Sequence, residues 1–113
     1  MPAKTLGLLA SAMLSTTPEI IYKPAVARWA TVNITVENQE TVATPELYLA
    51  VVPSSYVSGT PDAKYIRESG NYLHVSAPVV ITGTPIGPEQ AIVAWIDSVA
   101  NVSIAVDGIE EDI

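Results

Sequence analysis

The chain has 113 residues, a formal net charge of −7 and no cysteine. It therefore fits one domain with one core, and disulfides, thiolate metal sites and cysteine nucleophiles are excluded. All five bases lie before residue 68, where five acids balance them, so the excess of seven acids lies in residues 68–113. This acidic part would repel a phosphate backbone, and nucleic-acid binding is not expected. It could instead dock on a basic protein surface or simply keep the chain soluble.

Residues 1–16 are predicted to form an N-terminal arm. The segment is apolar, and a short signal peptide or a short helix would show the same composition. It is too short to span a membrane, which takes about 20 apolar residues. If extended, its first fourteen residues reach about 45 Å. We expect the arm, extended or helical, to dock on a neighbouring surface and the remaining domain to fold without it. Its candidate interaction residues are Leu6, Leu8, Leu9, Met13 and Leu14.

Residues 28–37 carry the clearest strand signal in the chain. Val32, Ile34 and Val36 alternate with polar residues, as a half-buried strand requires, and Asn38 begins a polar turn. Residues 46–52 alternate similarly, and we expect the two strands to pair as a hairpin. Further strands are predicted at residues 20–22, 64–67, 72–76, 79–82, 91–96 and 102–106. The continuous apolar run at 91–96 predicts a strand covered on both faces, and residues 83–88 predict a rigid turn.

Seven or eight short strands separated by proline and glycine predict an all-β fold, a β-sandwich of the immunoglobulin-like or jelly-roll type. The predicted division is an arm at 1–16, the sandwich at 17–109 and an acidic C-terminal tail at 110–113. High apolar content, 49% of residues, without cysteine indicates that neighbouring chains cover part of the surface. A homo-oligomer is expected, with a trimer favoured.

The sequence contains groups that could act in catalysis, but not in a recognisable catalytic or metal-binding arrangement. His74 is the only histidine and has no second ligand at i+2 or i+4, so a metal site or a histidine-based triad lacks its parts. The acids at 97, 107 and 110–112 fall in predicted turns or the tail, without apolar surroundings that would raise a pKa. No phosphate-binding loop, nucleophile elbow or dinucleotide motif is present. We therefore expect neither an enzyme nor a cofactor.

The aromatic residues allow two interpretations. Trp29, Trp95 and the tyrosines, including Tyr56 in the long loop after residue 53, could stack on sugar rings. Cores and subunit interfaces use the same residues, and this interpretation is favoured. Trp29 and Tyr56 are the aromatic interaction candidates, and a carbohydrate-binding module is the alternative function.

A resemblance rests on the order of several motifs along nearly the whole chain. They are Lys4-Thr5-Leu6-Gly7, Ile21-Tyr22-Lys23-Pro24-Ala25, residues 30–38, residues 47–53, Lys64-Tyr65-Ile66 and residues 102–111. In this order they resemble a group of small virion proteins of tailed bacteriophages. The chain departs from that group at Lys23 and in residues 26–29.

The resemblance implies an accessory structural role on a phage particle, as a capsid decoration protein or a tail-associated protein. In this setting the alternative, a carbohydrate-binding module, would belong to a tail fibre or receptor-binding apparatus. It implies partners such as the major capsid or tail proteins, and synthesis in the cytoplasm of the host bacterium. By position, Tyr22 and Pro24 would close the first strand of the sandwich and Asn38 the second. Residues 64–66 would form the short strand after the loop.

Overall fold

Two four-stranded antiparallel sheets pack face to face in the computed structural model, which describes residues 4–113. Sheet A has the order β1-β8-β3-β6 and sheet B the order β2-β7-β4-β5. The strands are β1 (Lys4–Met13), β2 (Glu19–Tyr22), β3 (Arg28–Asn38), β4 (Glu46–Pro53), β5 (Ile66–Tyr72), β6 (Val79–Ile86), β7 (Gln90–Ile96) and β8 (Val102–Asp112), with a 3-10 helix at Ala63–Tyr65 before β5. The predicted all-β sandwich of seven to eight strands is confirmed.

The main core lies between the inward faces of the two sheets. In β3 the predicted alternation holds, because Val32, Ile34 and Val36 are buried between exposed or half-buried polar residues. Sheet B contributes Leu47 and Leu49 of β4 and the inward side chains of β7 to the same core. Each sheet thus buries one apolar face against the other, which is the packing that defines a sandwich.

Strand β7 is covered on both faces, as its apolar run predicts. Ile92, Ala94 and Ile96 belong to the main core. Trp95, Val93 and Ala91 belong to a second cluster on the outer side of sheet B. All six residues from Ala91 to Ile96 are buried.

The predicted hairpin of β3 and β4 is wrong. Strand β3 pairs with β8 and β6, and β4 pairs with β7 and β5, so the two strands lie in different sheets. Each strand carries a full apolar face, and facing one another across the core buries both faces. Asn38 stabilises the connection that leads from β3 in sheet A to β4 in sheet B. Its side-chain NH₂ group donates to the carbonyl oxygens of Ala43 and Leu73, both at 2.7 Å, and its side-chain oxygen accepts a hydrogen bond from the Glu40 amide at 2.9 Å.

The N-terminal segment is a strand of sheet A and not a separate arm. Strand β1 pairs with β8 from Lys4 opposite Glu111 to Met13 opposite Ser103; residues 1–3 lie outside the described residues. The acidic tail is also incorporated, because β8 continues to Asp112 and pairs with β3 along its whole length. The predicted boundaries at residues 16 and 110 therefore do not divide the structure. A long β8 with a partner on each edge satisfies its backbone groups better than a free tail would.

Strand limits differ from prediction at three further places. Residues 64–66 are mainly 3-10 helix, β5 extends from Ile66 to Tyr72, and no strand covers residues 73–76. The predicted rigid turn at 83–88 is largely strand, because β6 runs to Ile86. Gly83, at φ +65°, accommodates the irregularity in β6. Pro85 is tolerated because β6 is an edge strand.

Gly108 is required where β8 passes closest to β3. Its φ is +146°, and a Cβ atom placed there would lie 2.2 Å from the Thr31 carbonyl oxygen and 2.9 Å from the Val32 Cα. Any larger residue would therefore clash with the backbone of the neighbouring strand at the centre of sheet A.

Candidate interaction surface

The outward-facing side of sheet A has no covering segment among residues 4–113. Strand register places one row of side chains from each of four strands on this side. We call it the outer face of sheet A, and it is formed by Leu6, Leu8, Ser11, Met13, Trp29, Thr31, Asn33, Thr35, Glu37, Val80, Pro85, Ser103, Ala105, Asp107, Ile109 and Glu111. It spans the sheet from β1 to β6.

Exposed large apolar side chains line β1 on this face and recur at one end of β3. Leu6 and Leu8 are each 65% exposed, Met13 is 54% exposed and Trp29 is 40% exposed. Leu6 lies opposite Ile109 of β8, which in turn lies opposite Thr31 of β3. Because Trp29 is two residues from Thr31 on the same side of β3, its ring belongs to the same end of the face. Exposed apolar groups gathered in this way mark an interaction surface more often than scattered ones do.

Four of the seven predicted interaction residues therefore lie on the outer face of sheet A: Leu6, Leu8, Met13 and Trp29. Leu6 and Trp29 are at one end of this face, and Met13, opposite Ser103, is at the other end. Leu9 is half-buried and packs against the main core, and Leu14 is buried within that core. A register shift between Leu8 and Ala10 explains the difference, because it turns Leu9 inward out of the regular alternation. Leu9 and Leu14 thus stabilise the sandwich.

Tyr56, the seventh candidate, lies on the opposite side of the molecule. The loop after β4 and the 3-10 helix place Tyr56 and Tyr65 against the second cluster on sheet B. Tyr48 stacks on Trp95 with ring centroids 5.3 Å apart and planes 9° from parallel. The Tyr56 hydroxyl donates to the Gly59 carbonyl oxygen at 2.6 Å, which fixes the loop on itself. Sheet B therefore covers much of its own outer face.

A shallow cleft opens beside this loop. It has a volume of about 280 Å³ and is lined by Tyr56, Tyr65, Asp62, Pro61 and neighbouring polar residues. Two aromatic rings beside a carboxylate could contact a small polar ligand such as a sugar ring.

A polar cluster joins the two sheets at one end of the core. The Tyr22 hydroxyl of β2 donates to one carboxylate oxygen of Glu110 in β8. Arg28 donates to the other oxygen at 3.2 Å, and its Nε donates to Asp112 at 2.8 Å. Glu110 and Tyr22 are buried. The cluster is a structural bridge between the sheets, in which the hydrogen bonds of the buried carboxylate are satisfied by Tyr22, Arg28 and the Ala25 amide.

The pKa values of this bridge are displaced in opposite directions. Burial alone would raise the pKa of Glu110, but hydrogen bonds from Tyr22, the Ala25 amide and Arg28, together with the guanidinium charge, hold it below its usual value. The pKa of Tyr22 is raised, first by burial and then by the hydrogen bond and charge of Glu110. Sequence reasoning assigned Glu110 to a tail. Extending the alternation of Val102, Ile104 and Val106 by four residues would have placed it inward.

Within residues 4–113, no group of three or more histidine, aspartate or glutamate side chains is arranged to hold a metal ion. His74, the single histidine, is exposed. In the same described part, no helix is long and apolar enough to cross a membrane.

Comparisons of the chain with protein-family models, with curated proteins and with solved structures find no match. The surface described above must therefore be interpreted from its own geometry, together with the motif order of the sequence.

Proposed function

We propose that the chain is a non-enzymatic structural protein of a bacteriophage particle, which forms a homo-oligomer and packs on other virion proteins. The observation that carries the proposal is the outer face of sheet A, where two separate segments contribute Leu6, Leu8 and Trp29 to one exposed apolar area. The motif order that resembles small virion proteins of tailed phages supports the same role. Capsid decoration and tail association both require such a face.

The face suits contact with a preformed protein surface. Its apolar groups lie on regular strands, so little conformational entropy is lost when they are covered. Thr31, Thr35 and Ser103 on this face can hydrogen-bond to a partner. Asp107, between Leu8 and Asn33, and Glu37 make the face negative. A partner that presents apolar groups with basic groups among them would complement the face in polarity and charge.

The test uses particles of the phage whose genome encodes the chain. We expect mass spectrometry of purified virions to find it in many copies, and particles lacking it to bind added purified protein. Leu8→Ser and Trp29→Ser should reduce this binding at least tenfold. Val57→Ser is the matched control, because Val57 is 87% exposed in the loop on the other sheet. Absence of the protein from virions would contradict the proposal.

Carbohydrate binding is the second candidate, favoured by the cleft between Tyr56 and Tyr65. It predicts signals on a glycan array that Asp62→Asn abolishes without changing the thermal unfolding temperature, because Asp62 is exposed. A glycan signal lost instead in Trp29→Ala would place the sugar on the outer face of sheet A. An array without signals would remove this candidate.

A further inference from the structure

Each sheet has two edges, and three of the four edges are protected against pairing with another strand. Strand β2 has only four residues, between Pro18 and Pro24, and its register is irregular. Strand β6 contains Gly83, Pro85 and a register shift. Strand β5 carries the charged residues Arg67 and Glu68, with two register shifts opposite β4. Short length, proline, charge and irregularity are the usual means by which sheet edges avoid association.

Strand β1 lacks most of these protections. It has ten residues, and from Thr5 to Met13 it contains neither a charged residue nor a proline. It is the last strand of sheet A, so only β8 lies beside it within the described part of the chain. Its outer edge therefore presents backbone N–H and C=O groups along most of its length. The edge also carries none of the acids that would make two copies with a net charge of −7 repel each other locally.

The bulge in β1 fits a second copy in one antiparallel register. Side chains at 6, 8, 11 and 13 are on the outer face, whereas 7, 9, 10 and 12 are on the inner side. Opposed residues in an antiparallel pair must share a face. A two-fold axis between Leu9 and Ala10 satisfies this rule at every position. Leu6 then opposes Met13, Gly7 opposes Ala12, Leu8 opposes Ser11, and Leu9 opposes Ala10.

We propose that β1 pairs antiparallel with β1 of a second copy of this chain in this register, joining the two copies of sheet A into one eight-stranded sheet. Both bulges then lie at the axis, where each matches the other. The pairing gives the homo-oligomer of the proposed function its interface, although it rests on the sheet edge and does not require a phage particle. It replaces the expected trimer by a two-fold dimer, because a trimer would have to join β1 to one of the protected edges.

The same pairing extends the exposed apolar area across the axis. Leu6 of one copy meets Met13 of the other on the outer face, and Leu8 meets Ser11. Gly7, Ala10 and Ala12 face the inner side, where small side chains let the second strand approach.

The first experiment is sedimentation equilibrium of the purified chain. We expect a dimer for the wild type. L6K/M13K places a lysine opposite a lysine twice, and should weaken dimerisation at least about tenfold. Since this variant lowers the net negative charge, general repulsion between copies cannot explain such a loss. L6E/M13K places opposite charges at the same two positions and should restore the dimer. A monomeric or trimeric wild type would overturn the proposal, as would equal weakening in both double variants.

The second experiment tests the register with the cysteine-free chain. Leu8 and Ser11 directly oppose each other across the axis, so their Cα atoms should be about 4.5–5.5 Å apart, within disulfide range. A mixture of the L8C and S11C chains should therefore form a covalent dimer on mild oxidation. Either chain alone should not, because like positions are three residues out of register, about 10 Å apart. Cross-linking of L8C alone, or none in the mixture, would overturn the register.

Both measurements use the purified chain, so they separate this inference from the proposed function. A dimer that fails to bind virions would contradict the phage role alone. A monomer that still binds virions would contradict the β1 pairing and the homo-oligomer, and would leave the role on the phage particle standing.

Discussion

The outer faces of the two sheets differ in how they are covered. On sheet B the loop after β4 returns over the strands, and Tyr56 and Tyr65 pack on a cluster centred on Trp95. On sheet A no described segment returns, and Trp29 remains 40% exposed beside Leu6 and Leu8. One tryptophan thus completes a core, whereas the other is available to a partner.

This contrast bears on the apolar side chains that neither core buries. A large part of the hydrophobic sequence is absorbed by the main core and by the second cluster on sheet B. Among the described residues, six of the exposed large apolar side chains share the outer face of sheet A, namely Leu6, Leu8, Met13, Trp29, Val80 and Ile109, whereas the others are distributed over loops, the C-terminus and strands of sheet B. High apolar composition therefore does not predict association by itself. It must also be known which apolar side chains remain exposed and on which face of a sheet they lie.

The largest effect should come from removing the covered tryptophan. Trp95 is 8% exposed and stacks on Tyr48, so Trp95→Ala should lower the free energy of unfolding by about 3–5 kcal/mol. Urea denaturation followed by circular dichroism measures the loss. A change below about 1 kcal/mol would mean that the cluster on sheet B contributes little, and the contrast between the faces would fail.

The bridge between the sheets should have the next largest effect. Glu110→Gln weakens the hydrogen bonds from Tyr22 and Arg28, and should lower the free energy of unfolding by about 1–3 kcal/mol. Glu89→Gln is the control, since Glu89 is exposed in a turn. Thermal unfolding monitored at pH 7 compares the two variants, and equal unfolding temperatures would show that the bridge is dispensable.

The pH dependence of stability follows from the same bridge. The pKa of Glu110 is lower in the folded chain than in the unfolded chain, so its contribution is complete above about pH 5 and is lost as the pH falls through the folded value. The pKa of Tyr22 is raised, so its contribution is complete below about pH 10 and is progressively lost as the pH rises from there towards the folded value. Unfolding temperatures measured from pH 3 to 11 should decline at both ends. In Glu110→Gln the acid decline should become shallower, and an unchanged decline would assign it to other carboxylates.

Removing the exposed tryptophan should have a small effect on the fold. Trp29→Ala should lower the free energy of unfolding by about 1 kcal/mol, well below the loss in Trp95→Ala, because Trp29 is already 40% exposed to water. The same urea titration used for Trp95→Ala gives the comparison. A loss as large as that of Trp95→Ala would show that Trp29 is part of the core and not of an interaction surface.

The smallest expected effect on the fold comes from replacing each tryptophan by phenylalanine, and it is measured by fluorescence. Trp29→Phe and Trp95→Phe each leave one tryptophan, and acrylamide should quench the fluorescence of Trp95→Phe several times more strongly, because its remaining ring is the exposed Trp29. Any partner that covers the outer face of sheet A should then reduce that quenching. Equal quenching in the two variants would remove the distinction between the faces.

Strands with a strong local pattern could be predicted from the sequence. In β3 the alternation of Val32, Ile34 and Val36 identified both the strand and its buried face. In β7 the uninterrupted apolar run indicated cover on both sides. Strand pairing could not be predicted in the same way, because alternation names the face of a strand and not its neighbour. For this reason β3 and β4 were wrongly joined as a hairpin.

The candidate site was predicted in part for a related reason. Leu6, Leu8, Met13 and Trp29 could be selected as apolar residues in places where the chain looked uncovered. Leu9 could not be separated from them, since only pairing with β8 reveals the bulge that turns it inward. Glu110 was missed because Gly108 interrupts the apolar alternation of β8 two residues earlier, which made the strand look finished.

Pairing of β1 with β8 also fixes the order in which the chain can fold. Among the eight described strands β1 is synthesised first, and it cannot take its place in sheet A until β8 has been made, because β8 lies between β1 and β3. Sheet B, whose strands lie between residues 19 and 96, can assemble earlier. Such long-range closure slows folding. During synthesis the leucines of β1 therefore remain exposed in the nascent chain until β8 has been made. In this period a chaperone that binds apolar segments could bind them.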